Sequence, residues 1–231
     1  MSYVIALASV IIYSLLVFRF TRAGSRSWGY SLLICVLFGI LSAIMSVFLE
    51  FVWNYFLGDF ISSHHSLIFI ESFFGVSLIE EGTKWLWLVF VISRWKNFDL
   101  YTDGILYACA IAAGFNLVEG GIYATLEQNP VSMILRSFTA VPVHFFFAIV
   151  MGFLFARFKI EGDHFFWFSL IIPVILHGLY DFFILQQYAD LLMGAAILVL
   201  LGCLSLSVWV VHVAMKADKL KLLAMEKRGE V

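Results

Sequence analysis

The chain has 231 residues, of which 63% are hydrophobic and only 13% charged, with a formal net charge of −2. Soluble domains are about 45–50% apolar, so a soluble globular protein of this length is excluded. The near-neutral charge balance gives no basic surface for nucleic acid. The composition predicts an all-α integral membrane protein. Cys35, Cys109 and Cys203 all fall inside apolar stretches. An odd set of buried cysteines makes neither a disulfide framework nor a CxxC zinc motif.

The first apolar run, 2–20, has no basic leader and no small-residue cleavage site. Its basic residues, Arg19, Arg22 and Arg26, follow it. It therefore reads as a first transmembrane helix with its N-terminus outside rather than as a signal peptide. Six further runs, 29–57, 66–93, 103–126, 131–157, 164–187 and 190–215, each approach the roughly 20 apolar residues that a bilayer requires. Short polar connections separate them, such as TRAGSRS, GDFISSHH and RFKIEGD. With no linker or internal repeat, the prediction is a bundle of about seven helices forming a single polytopic domain over 1–231. Its catalytic core would lie at about 66–187, with a basic tail at 216–231.

Orientation follows from the basic residues. Arg19, Arg22 and Arg26, then Arg94 and Lys96, then Arg157 and Lys159 occupy alternate connections. Lys216, Lys219, Lys221, Lys227 and Arg228 lie in the tail, and the opposite loops carry none. The positive-inside rule puts the N-terminus outside and the tail in the cytoplasm.

Several ionisable residues remain inside the spans, where each costs a few kcal/mol on insertion scales and normally faces the bundle interior. Glu80, Glu81 and Lys84 share a stripe with Ser77 on the third predicted helix. Asn116 and Glu119 share a face of the fourth. His144 lies on the fifth, and His177 and Asp181 form an i, i+4 pair on the sixth. Counted from the outer helix ends, the acidic and histidine members lie about 6–15 residues in, roughly 9–22 Å at 1.5 Å per residue. Glu50, Glu71 and Arg136 fall toward the outer ends, where they are expected to pair with one another. His212 falls near the cytoplasmic end, as a headgroup contact. Pro142 and Pro173 precede the two histidines and are expected to kink their helices near the middle, opening a wet pocket.

Taken singly, these signals have ordinary readings. EExxK is usually an ion-pair stripe, a buried histidine is usually a satisfied core residue, and Asp181 can simply orient His177. Together, two histidines and several carboxylates make the ligand set of a catalytic zinc site, with a spare carboxylate as general base. In that reading His144 and His177 with Glu119 or Asp181 hold Zn²⁺, and Glu80 or Glu81 takes a proton from water. Lys84 and Asn116 support them. A metal-free variant, in which a glutamate–histidine pair activates water and His177 stabilises the oxyanion, uses the same residues.

Four stretches carry a family resemblance: IEEGTKW (79–85), DGILYACAIAAGFNLVEGGIY (103–123), RSFTAVPVHFFFAIVMG (136–152) and ILHGLYDF (175–182). In order, they resemble the EExxK, FxxxE, mid-helix His and HxxxD elements of the PrsW family of intramembrane proteases, within the larger group of CAAX-processing and bacteriocin-processing membrane proteases. The resemblance covers about residues 66–187. Gly120 departs from it, standing where an Asn is expected after the glutamate. The resemblance implies a glutamate-dependent protease in the cell membrane that cuts membrane-anchored proteins, such as single-pass anti-sigma factors. Two other classes use similar residues: a proton-coupled transporter, against which the missing internal repeat argues, and a non-catalytic scaffold or immunity protein.

Overall fold

A computed structural model describes residues 1–21, 29–58, 67–96, 98–127, 129–185 and 190–228. Arg22, Arg26 and the predicted outer loop at 59–66 lie outside the described residues. Among the described residues the chain is helical and contains no strand. The helices are α1 (Ser2–Thr21), α2 (Gly29–Trp53), α3 (Leu78–Phe90), α4 (Tyr101–Leu126), α5 (Pro130–Phe138), α6 (Ala140–Glu161), α7 (Phe168–Leu185) and α8 (Asp190–Lys227).

Among the described residues, six segments are long and apolar enough to cross a membrane: Ser2–Arg19, Gly29–Gly58, Tyr101–Leu126, Pro130–Glu161, Phe168–Leu185 and Gly194–Lys227. Large apolar side chains on their outer faces are exposed, among them Leu15, Phe48, Leu198 and Trp209. An apolar belt of this kind has no place in water and needs lipid around it. The chain is a multi-pass membrane protein. The stretch predicted as the third span is also helical. One α turn (Ile68–Ile70) and a π-helical segment (Glu71–Ser77) lead directly into α3. It stands apart from the six because Glu71, Glu80, Glu81 and Lys84 lower its hydropathy.

Helix α4 is the central post. Its sequence is rich in small residues, and the four successive residues Ile105, Leu106, Tyr107 and Ala108 are all buried, so at about 100° per residue the helix is enclosed around its whole circumference. Small residues let helix backbones approach closely in a membrane, where apolar side chains gain little by leaving lipid. A β-carbon at Gly114 would collide with the Val36 carbonyl of α2, and one at Gly39 with the Ile111 carbonyl of α4. On another side of α4, Gly104 and Gly152 of α6 meet backbone to backbone in the same way.

Two boundaries differ from the sequence reading in ways that shape the site. The fifth predicted span is interrupted at Thr139, whose backbone (φ −123°, ψ −77°) is not helical, so a short α5 precedes α6. Pro130 opens α5 at a position where its missing N–H costs nothing, and the Asn129 side chain caps the helix by accepting from Val131 N at 3.0 Å. Pro142 consequently lies in the first turn of α6 rather than mid-helix, and it kinks nothing there. Pro173 does lie inside α7, which continues through it.

The end of the last helix is the other difference, because α8 runs past its predicted end at 215 and stays helical to Lys227. Its Asp218 accepts from Tyr101 N (2.8 Å), Thr102 N (2.9 Å) and the Thr102 hydroxyl (2.6 Å), capping the N-terminus of α4. Those amides have no partner within their own helix.

The glycine contacts give a direct test. Gly152→Leu should lower the thermal unfolding midpoint in detergent by the equivalent of about 1–3 kcal/mol or more, because the added side chain overpacks a backbone contact. Gly121→Leu, with open space at its β-carbon, should leave the midpoint unchanged. Scanning fluorimetry of the two variants beside wild type decides it.

Candidate active site

The four stripes converge. α3 supplies Glu80, Glu81 and Lys84, α4 supplies Glu119, α6 supplies His144, and α7 supplies His177 and Asp181. All are at least largely buried. Charged groups in such a place persist only when paired, and these are paired in one continuous chain from Asp181 to Glu119. Lys84 Nζ lies 2.8 Å from Glu81 Oε1, 3.4 Å from Glu80 Oε2 and 3.4 Å from His144 Nδ1. Its ammonium also sits 3.8 Å from the centroid of the Phe115 ring, a cation–π contact.

The two histidine rings stand almost perpendicular (87°) with centroids 5.2 Å apart, and each is bracketed by carboxylates. His144 Nε2 is 2.9 Å from Glu119 Oε2, while its Nδ1 faces Lys84 and, at 4.0 Å, Glu80. A carboxylate only accepts, so Nε2 carries the proton and Nδ1 presents its lone pair to the α3 stripe. His177 Nε2 is 3.2 Å from Asp181 Oδ2, and its Nδ1 is 3.0 Å from Glu81 Oε1. Phe147 stacks on the His177 ring at 4.9 Å and helps hold its plane.

A cavity of about 340 Å³ reaches this cluster. Glu80, His144, His177, Glu119 and Asp181 line it, together with Tyr123, Tyr180 and the α5 residues Leu135 and Arg136. Glu81 is not part of its wall. The mouth is framed by the C-terminal ends of α4 and α7 and by α5. This is the end of the bundle remote from Lys159, which donates to the Trp95 carbonyl, and from Lys221, which donates to the Asp99 carbonyl.

The donors suit a metal ion in kind and number. One ligand atom from each of Glu80, Glu81, His144 and His177 lies within 4.8 Å of all the others, and two imidazoles with carboxylates are a zinc-type set. Glu119 and Asp181 stand one bond further out, on the ring nitrogens that face away from that set. Metal-bound histidines are commonly oriented by carboxylates in that position. The Lys84 ammonium lies among the same donors and is the cation that neutralises them here.

Other expected residues are placed differently. Arg136 does not pair with Glu50 or Glu71. Its Nη2 donates to Glu119 Oε1 at 2.5 Å, and its guanidinium stacks 3.4 Å over Tyr123. Glu71 accepts from the Trp53 indole N–H at 2.7 Å. Asn116, buried beside Glu119, donates to the Ala112 carbonyl of its own helix (3.0 Å) rather than to the cluster. His212 lines a separate apolar groove between α1, α6 and α8. Tyr123 and Tyr180 in the cavity wall were missed. Tyr123, four residues after Glu119 on the same helix face, carried a usable signal.

A multi-pass helical protein that buries paired glutamates and histidines around an open cavity has the architecture of an intramembrane protease. The sequence profile described as "PrsW family intramembrane metalloprotease" matches residues 28–214, most of the chain, and the chain belongs to that family. It is 29% identical to Protease PrsW of Clostridioides difficile (strain 630) over 175 residues, 72% of this chain and 74% of that protein. It is 34% identical to Protease PrsW of Oceanobacillus iheyensis over 123 residues, 52% of this chain and 56% of that one. With Protease PrsW of Bacillus subtilis (strain 168) it shares 31% over 118 residues, 49% and 54% of the two chains. The match thus spans about half the length of the latter two relatives. No solved structure matches the chain.

The position of Lys84 makes a prediction. Lys84→Met leaves buried carboxylates uncompensated, which should destabilise the metal-free protein by about 3–5 kcal/mol. Zn²⁺ should restore the unfolding midpoint of this variant more than it raises that of wild type. Restoration by NaCl alone, with Zn²⁺ without effect, would show that the cluster holds no metal.

Proposed function

We propose that the chain hydrolyses a peptide bond of a membrane-anchored protein, such as a single-pass anti-sigma factor, inside this cavity. The observation that carries the reading is the difference between the two adjacent glutamates. Glu80 lines the cavity, whereas Glu81 is 1% exposed and held by Lys84 and His177. Glu80 is then the general base and Glu81 a fixed anion.

In this reading Glu80 takes a proton from a cavity water. The water oxygen adds to the substrate's carbonyl carbon, and the C–N bond breaks as the proton passes to the departing amine. Lys84, the cation among these carboxylates, and His177 in the cavity wall stabilise the oxyanion. His144, His177 and Glu81 would hold Zn²⁺, and Glu119 and Asp181 would hold the two rings by their far nitrogens. When bound, the ion acidifies water and polarises the carbonyl. The location of Lys84 among these donors favours a second reading, in which its ammonium and His177 do this work without metal.

The finer topology belongs to the same proposal. Ile68–Phe90 crosses the membrane as a third of seven spans, with the N-terminus outside and α8 ending in the cytoplasm. Supporting this, the side chains of Lys159 and Lys221 gather at the end of the bundle opposite the cavity mouth. Substrate and water then enter from the extracytoplasmic side. An intact helix hides its carbonyls in hydrogen bonds, so the substrate segment must be extended where it is cut.

Two experiments test the proposal on a panel of synthetic single-pass peptides in proteoliposomes. Glu80→Gln, His144→Ala and His177→Ala should each lower kcat by at least about 10²-fold, the usual worth of a general acid–base group. Glu80→Gln should keep whatever metal wild type binds, while the histidine variants lose it, as read by elemental analysis. A chelated, metal-free wild type with full activity would select the second reading. Mass spectrometry of the products should place the cut at or just inside the extracytoplasmic boundary. Cuts at the cytoplasmic boundary would refute the orientation.

A further inference from the structure

Arg136 belongs to the cavity wall, yet the chemistry above gives it no part. It projects from α5, the short helix that roofs the cavity between the Asn129 cap and the break at Thr139. Its guanidinium is restrained twice by one face of α4. Nη2 donates to Glu119 Oε1, and the ring of Tyr123, one turn further along, lies beneath it. The other Glu119 oxygen, Oε2, is the acceptor for His144 Nε2. One carboxylate therefore takes a bond at each oxygen, one from the roof and one from the imidazole.

A carboxylate bonded at a single oxygen can turn about its last torsion, because terminal sp³–sp² rotations have broad wells. Bonded at both, it has one orientation. We propose that Arg136 is a positioning residue. It fixes the Glu119 carboxylate, and through it the His144 ring, with Nδ1 aimed at Glu80 and Lys84. The device is specific to His144, since no arginine or lysine pairs with Asp181, the corresponding carboxylate on His177, among the described residues. It also ties the roof to the site, because any displacement of α5 pulls on the group that aligns His144. The inference rests on the protease reading given above.

A merely structural Arg136 would anchor α5 and nothing more, and a double-mutant cycle separates the two roles. Wild type, Arg136→Gln, Arg136→Lys, Glu119→Gln and Arg136→Gln/Glu119→Gln are compared as full-length protein. The readouts are kcat and KM on the peptide panel, Co²⁺ affinity by absorption spectroscopy, and the thermal midpoint. Loss of an outer partner of a ligating histidine typically costs 10–100-fold, so Arg136→Gln should lower kcat and Co²⁺ affinity by about that factor, with KM within about threefold. Arg136→Lys, which keeps a cationic donor, should recover most of the loss. In the Glu119→Gln background, Arg136→Gln should add less than about twofold, because the two residues act as one unit.

Fully multiplicative effects would overturn the proposal. So would an Arg136→Gln protein that unfolds earlier yet keeps wild-type kcat and Co²⁺ affinity. A wild type that binds Co²⁺ but cleaves no peptide refutes the protease reading, and the Co²⁺ cycle still decides the role of Arg136. A wild type that does neither overturns both.

Discussion

Compensation of buried charge is the constraint on which the rest of this molecule depends. Four carboxylates, two histidines, a lysine and an arginine lie between helices whose outer faces require lipid. None could stay there alone, because the penalty of removing an ion from water is several kcal/mol even after relaxation. Lys84 bridges Glu80 and Glu81, Arg136 holds Glu119, and each histidine lies against a carboxylate. Five helices, α3 to α7, must stay in register for these pairs to exist.

The packing around α4 makes that register possible. Glycine contacts on two sides bring α2 and α6 against its backbone, and this draws His144 to within hydrogen-bond distance of Glu119. Ser46 and Ser42 of α2 bond to Thr83 of α3, at its hydroxyl (2.9 Å) and carbonyl (3.3 Å). The Ser77 hydroxyl reaches the Val174 carbonyl of α7 (3.1 Å). These contacts place the α3 stripe between α2, α4 and α7. The site is a consequence of close backbone approach, which requires small residues where bulky ones would be the ordinary choice in lipid.

The α3 stripe also shows how two adjacent, chemically identical residues come to differ. Glu80 and Glu81 are about 100° apart on the helix. One side chain reaches the cavity, and the other is enclosed by Lys84 and His177. The π-helical segment just before α3 adds residues to the turns that precede it. Such segments are rare and recur at functional sites.

Much of this was legible in the sequence. An apolar content of 63% in so long a chain fixes a membrane protein, because no soluble fold can hide it. Helical spacing is local, so Glu80, Glu81 and Lys84 on one face and His177 with Asp181 on another could be read from residue numbers. The order of the four motifs was likewise enough to suggest the family. Partners between helices were not legible, because rotation and depth are set by packing. Arg136 could pair with any outer carboxylate until α5 broke from α6 at Thr139 and turned it onto Glu119. Which glutamate faces the cavity was undetermined for the same reason. The sequence by itself determined which residues had to be buried together in the membrane. Only the tertiary structure decided which atom of each meets which, since that depends on helix contacts far apart along the chain.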